Sequence, residues 1–203
     1  MNRREALKRV AWLMGGTVSA SAILAVNKGY SATTSAGSKP SILSASQFGL
    51  VSAVSEIMIP RTDTPGAVDV GVPGFIDLML KDVYPQEDRE RYFSGLAEFD
   101  AAAQAERGKK FVALEPAQQA ALVRKFHTAA VAEERRLPHA HGTVKRPFIL
   151  MTKELTLLGF FTSQAGATEV LQYIAIPGSY HACVPLEEAG NGKTWAVEPG
   201  IKF

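Results

Sequence analysis

The chain predicts an all-α domain of about five to six helices with an irregular C-terminal tail. Three observations carry that expectation. Apolar residues recur at three- and four-residue spacing in successive stretches after residue 44. Prolines stand where these stretches begin or end, at Pro60, Pro73, Pro85, Pro116 and Pro147. No alternating apolar/polar series marks a set of strands, and no internal repeat is present. With 203 residues, 46% hydrophobic and 21% charged, the composition suits one ordinary globular core.

Residues 1–32 read as a targeting segment. Arg3, Arg4, Lys8 and Arg9 precede an apolar run, Val10–Val26, diluted by Gly15, Gly16, Thr17, Ser19 and Ser21. Charge followed by a short apolar run is the order of a secretory signal. The Arg3-Arg4 pair, with Leu7 and Lys8 after it, resembles a twin-arginine signal, although Ala6 stands where an aromatic residue often does. The run of 17 residues falls short of the roughly 20 needed to span a bilayer. An uncleaved membrane anchor is the alternative reading. Small residues permit cleavage near Ala25, Ala32 or Ala36. Residues 31–41 are polar and small with no packing face, and the linker is placed at 33–43. The helical domain is expected over 44–203.

Ser44 and Gln47 have capping-box spacing, and Phe48, Val51, Val54 and Met58 then give one apolar face that Pro60 terminates. A loop with three prolines covers 60–73. The second helix is expected at about 73–83 with Phe75, Ile76, Met79, Leu80 and Val83 as its apolar residues. The third, about 86–106, turns Tyr92, Leu96, Phe99 and Ala103 to one side and stops at Gly108. The fourth, about 116–136, carries Leu122, Phe126 and Ala130 and ends in a charged, solvated turn, Glu133–Arg136. Pro147 opens a fifth with Phe148, Met151, Leu155 and Leu158. A short helix is expected at Ser163–Tyr173. From Ile174 onward the Pro and Gly positions leave no sustained period.

The formal charge of +2 misleads. Residues 1–30 hold five basic side chains (Arg3, Arg4, Lys8, Arg9, Lys28) against Glu5; the remainder holds 17 basic and 19 acidic. A slightly acidic body gives no electrostatic footprint for nucleic acid. The sequence contains no dinucleotide fingerprint after a strand, no phosphate loop, no Cys-x-x-Cys pair and no nucleophile elbow. His139, His141, His181 and Cys183 could be imagined as a metal set, but their spacing matches no strong motif. His127 is expected in packing or at the surface. Asp63 and Asp69 could be an acid/base pair, although Asp in a Pro/Gly loop more often accepts turn hydrogen bonds. Trp195 suits an interface or the core equally. Cys183 is the single cysteine, so it is either a contact to another chain or a small buried hydrophobe.

Twin-arginine export carries folded passengers, usually those that load a cofactor first. A chain with such a signal and no recognisable cofactor site fits if the cofactor sits on a partner. Phe160, Phe161, Tyr173, Ile176, Tyr180 and Trp195 lie in a segment with limited helix of its own. With Cys183 they form the candidate partner interface.

Two stretches carry a family likeness. One is Ile59-Pro60-Arg61-Thr62-Asp63-Thr64-Pro65-Gly66-Ala67, continuing through Val70-Gly71-Val72-Pro73 to Phe75-Ile76-Asp77. The other is Gly159-Phe160-Phe161-Thr162-Ser163-Gln164-Ala165-Gly166-Ala167-Thr168, continuing to Leu171, Tyr173, Ile176-Pro177-Gly178, Tyr180 and the Pro185…Trp195 tail. Together they resemble the gluconate 2-dehydrogenase subunit 3 family over residues 44–198. The resemblance implies the small, non-catalytic subunit of a periplasmic or membrane-associated dehydrogenase. Its large subunit would be a glucose-methanol-choline-type flavoprotein holding FAD, with a cytochrome c often taking the electrons. It also implies a chaperone-like escort role and lends no catalytic residue to this chain. The other expectations are an independent periplasmic enzyme using Asp63 or the His/Cys set, and a membrane-anchored structural or binding protein.

Overall fold

The computed structural model describes residues 40–136 and 146–174 and, in the tail, residues 183, 185, 187, 188 and 192–196. The arginine pair Arg3 and Arg4, the apolar run after it, His139, His141, Ile176, Tyr180 and His181 lie outside the described residues. The described part is helical: α1 (Ala45–Met58), α2 (Val72–Asp82), α3 (Gln86–Arg107), a 3-10 turn (Phe111–Ala113), α4 (Pro116–Arg136), α5 (Phe148–Phe161) and a π-helical turn (Gly166–Val170). None of these helices is long and apolar enough to cross a membrane.

The capping box of α1 forms as its spacing predicts. Ser44 Oγ accepts from the Gln47 amide at 3.3 Å, and the Ser44 amide donates to Gln47 Oε1 at 2.8 Å. Pro60 pushes the residue before it out of helical space, and Ile59 is extended at φ −132°. In α2, Gly71 takes the left-handed conformation (φ 81°) that lets the chain enter the helix, and Pro73 sits in the first turn, where a missing N–H costs nothing. Val83, expected on the apolar face, is 58% exposed because the helix has already ended. The buried residues of α3 are Tyr92, Leu96, Phe99 and Ala103, the four that its period selects.

Helix α5 is the centre of the fold and packs against α1, α2, α3 and α4. Nine of its fourteen residues are buried, on more than one side. A helix apolar nearly all round has no solvent face to keep, so it takes the middle position. Around its start the aromatic rings of three other elements converge. Phe148 meets Tyr92 at 5.0 Å and Phe99 at 5.7 Å between ring centroids, and Phe99 meets Phe111 at 4.8 Å and Phe126 at 4.9 Å. Such edge and tilted contacts add roughly 0.5–1.5 kcal/mol each beyond burial. Polar groups in this core are paired. The Tyr92 and Thr152 hydroxyls are bonded at 3.0 Å, and Thr156 donates to its own helix at the Thr152 carbonyl oxygen (2.7 Å) beside Ser55. Burial pushes the Tyr92 phenol far above its usual value, so it stays protonated.

Two expectations are corrected here. The short helix expected over Ser163–Tyr173 forms over 164–170, its last five residues π-helical, and ends three residues early, with Leu171 already extended. The segment is shaped by Gly166, whose Cα approaches the Phe160 carbonyl so closely that an added Cβ would lie 2.0 Å from it. The linker read over 33–43 does not stay outside the core: Leu43 is 4% exposed and packs with α1 and α2 residues.

Candidate functional site

The loop between α1 and α2 carries the first motif, and three side chains build it from within. Glu56, on the last turn of α1, accepts from the amides of Arg61 and Val68, both at 3.0 Å. Asp69 accepts from the Gly66 amide at 2.8 Å and pairs with the Arg61 guanidinium. Gly66 fits against Glu56, where a Cβ would be 2.3 Å from its carboxylate. The loop backbone is thereby satisfied without a partner, as exposed Pro/Gly loops with acidic residues commonly are. Its tip, Arg61, Thr62 and Asp63, is exposed.

This geometry decides the role of the two aspartates. The Arg61 hydrogen bond, followed by that of the Gly66 amide, lowers the Asp69 pKa below its ordinary range. A carboxylate held ionised by a cation is poorly placed to shuttle protons. Asp63 accepts from the neighbouring Thr62 hydroxyl at 2.9 Å. Asp69 thus serves the loop, and Asp63 stands exposed at its tip.

Asp77 was not singled out by sequence reasoning, and it is the most committed carboxylate in the described chain. It projects from α2, is 4% exposed, and accepts from three successive amides: Ser41 at 2.6 Å, Ile42 at 3.0 Å and Leu43 at 2.8 Å. Its sequence signals are its place at the end of the first family motif, Phe75-Ile76-Asp77, and an acid on the buried face of a predicted helix.

His127 lies on α4 with its Nε2 3.0 Å from Lys153 Nζ of α5. Desolvation, then the Lys153 charge, lowers its pKa, so it accepts from Lys153 as a neutral ring. Among the described residues no three His, Cys, Asp or Glu side chains converge as a metal set. A groove of about 320 Å³ lies between α3, α4 and the start of α5, with Phe148 and Ala130 beside Arg91, Glu98, Glu133 and Arg146. Its arginines are paired with Asp88 and Glu154. It holds charges of both signs, and the Ser94 hydroxyl on its wall donates to Glu98 Oε1 at 3.2 Å.

The residues expected at a partner interface separate into two groups. Phe160 is corrected: at 2% exposed it belongs to this chain's own core, because α5 is buried on several sides and no outer face remains at that position. Phe161 is half-buried and stacks edge-on against Phe160 at 5.2 Å. Tyr173 and Trp195 are 59% and 39% exposed, and the unexpected Ile174 beside them is 45% exposed. A short parallel bridge pairs Gln172, next to Tyr173, with Trp195. The Gln172 amide donates to the Thr194 carbonyl and the Ala196 amide to the Gln172 carbonyl, both at 2.8 Å. Cys183 is exposed, which removes the reading as a small buried hydrophobe. Tyr180 lies outside the described residues.

No curated protein and no solved structure gave a significant match to the chain. The family model described as gluconate 2-dehydrogenase subunit 3 matches residues 45–178. That span starts at the first residue of α1 and takes in the Glu56-braced loop, the central helix and the π-helical turn. The chain therefore belongs to the gluconate 2-dehydrogenase subunit 3 family, the accessory subunits of dehydrogenase complexes.

Proposed function

We propose that this chain is the non-catalytic small subunit of a periplasmic FAD-dependent dehydrogenase of the glucose-methanol-choline type. In this reading it is the assembly partner and export escort of the flavin subunit. The observation that carries it is family membership across the helical domain. The twin-arginine-like Arg3-Arg4 segment supports the export part. The exposure of Tyr173, Ile174 and Trp195 supports the docking part, since large exposed apolar side chains on a small helical body favour a protein partner. FAD and the sugar or sugar-acid substrate would both reside on the large subunit, and a cytochrome c would take the electrons.

Co-expression with the neighbouring flavoprotein tests this. Affinity capture of the small chain should bring down the large one with bound flavin, and export of both should depend on the small chain. Turnover per bound flavin should stay within a few-fold for Asp63→Asn, since loss of a true general acid or base costs roughly 10²–10⁴. A small chain that oxidises substrate alone, or a flavoprotein fully exported and active without it, refutes the proposal. Recovery of the chain in membranes with residues 1–32 intact would favour the anchored reading.

A further inference from the structure

The folded body begins at an unusual fastening. Ser41, Ile42 and Leu43 direct three consecutive amides at the carboxylate of Asp77, which lies 34 to 36 residues further along the chain. Leu43 is buried beside it, and Ile42 packs against the core. The next residue, Ser44, is the cap of α1. Four successive residues are thus held by a carboxylate, by apolar burial and by a capping box. Charged acceptors make the stronger backbone hydrogen bonds; the Leu43 bond is buried and those of Ser41 and Ile42 are partly so.

We propose that Asp77 sets the downstream limit of proteolytic processing: enzymes that trim the N-terminal segment from the folded protein cut before Ser41. A protease binds the residues around its target bond as an extended strand and pairs with their N–H and C=O groups. The amides of Ser41, Ile42 and Leu43 are already committed, so cleavage there requires local unfolding of the start of the body. The inference concerns the chain itself and stands whether or not the flavoprotein partner is correctly identified.

The test uses the folded full-length chain under limited digestion by a broad-specificity protease, with the product N-terminus read by intact mass. Wild type should give a stable product starting at or before Ser41. Asp77→Ala leaves three amides without an acceptor, and cutting should move into residues 41–47 at a rate about ten-fold higher or more. Amide exchange at Ser41–Leu43 should quicken by a similar factor while α5 amides stay protected, which separates local opening from global unfolding. Leu43→Ala keeps the carboxylate contacts and should keep the wild-type limit. Wild-type trimming beyond Ser44 would overturn the proposal whatever the variants do. So would an Asp77→Ala chain, protected in α5, whose N-terminus and exchange rates match wild type.

Discussion

The aromatic residues of the C-terminal third separate into those that hold the fold and those free to hold a partner, and truncating one of each should separate stability from assembly. Phe160 is 2% exposed and packs among core residues. Phe160→Ala removes a buried ring and leaves a cavity, a loss of about 3–5 kcal/mol. Set against a total of roughly 5–15 kcal/mol, that leaves a marginal or unfolded chain. Tyr173 is 59% exposed, so Tyr173→Ala should change folding stability by no more than about 0.5 kcal/mol. The same ring leaves on the order of 100 Å² for a partner, worth about 2 kcal/mol once ordering costs are deducted, or about thirty-fold in Kd. Trp195→Ala should act similarly, because its ring is also exposed, on the segment bridged to Gln172. Thermal melts by circular dichroism and partner affinity by interferometry read the two quantities separately. A Phe160→Ala chain melting like wild type would refute the core assignment. A Tyr173→Ala/Trp195→Ala double variant binding the flavoprotein with wild-type affinity would refute the assignment of the patch.

Two glycines should respond unequally to alanine. At Gly95 the new Cβ meets Phe148 Cβ at 2.6 Å, a neighbour fixed to its backbone, so overpacking outweighs the helix-propensity gain and Tm should drop by about 2–6 °C. At Gly159 it meets the half-buried Phe75 ring at 2.6 Å, which can turn aside, so Tm should stay within about 2 °C; a stabilised Gly95→Ala would contradict the close α3–α5 approach. Changing Arg3 and Arg4 both to Lys keeps the charge and should abolish periplasmic recovery of the chain and its partner in cell fractionation. Non-reducing electrophoresis of the complex should show one band at the summed mass that splits on reduction; two bands, with Cys183→Ser assembling normally, would exclude a bridge. His127 has a folded pKa below its usual 6.5, so its stabilising contribution is complete above that value and lost as pH falls below it. Denaturant melts between about pH 7.5 and about pH 5.5 should show a decline that His127→Gln flattens.

Periodicity made the helical frame legible where a helix has one wet side. The α3 face, Tyr92 to Ala103, and the α1 capping box read directly from spacing. Helix α5 did not yield in the same way. Its neighbours lie on several sides, so the adjacent pair Phe160 and Phe161 carries no pattern that says which ring turns inward. The 3-10 turn at Phe111 is three residues long, too short for any period, although its ring is fully buried in the aromatic cluster. The Asp77 fastening was illegible for another reason. Its partners are backbone amides more than thirty residues away, and backbone donors look the same in every sequence. In the candidate site, the prolines and glycines of the motif loop marked a turn, but not that Glu56 from the preceding helix would brace it.

Three acids in and beside the first motif, Glu56, Asp69 and Asp77, share a fate that bears on what the family motif is for; Asp63, at the exposed tip, accepts from the Thr62 hydroxyl instead. Glu56 binds two loop amides, Asp69 binds one amide and Arg61, and Asp77 binds three amides at the start of the body. Each is tied to backbone within its own chain. Such a carboxylate cannot leave without orphaning its donors, which costs roughly 1–3 kcal/mol for each buried group. Residue types that elsewhere carry proton transfer here fix the ends of α1 and α2 and the loop joining them. The motif therefore specifies a shape: a rigid loop displaying Arg61, Thr62 and Asp63, and a body whose first residues are fastened down. On the proposed function, with the chemistry on another chain, a motif of this kind would serve by holding a surface of fixed form.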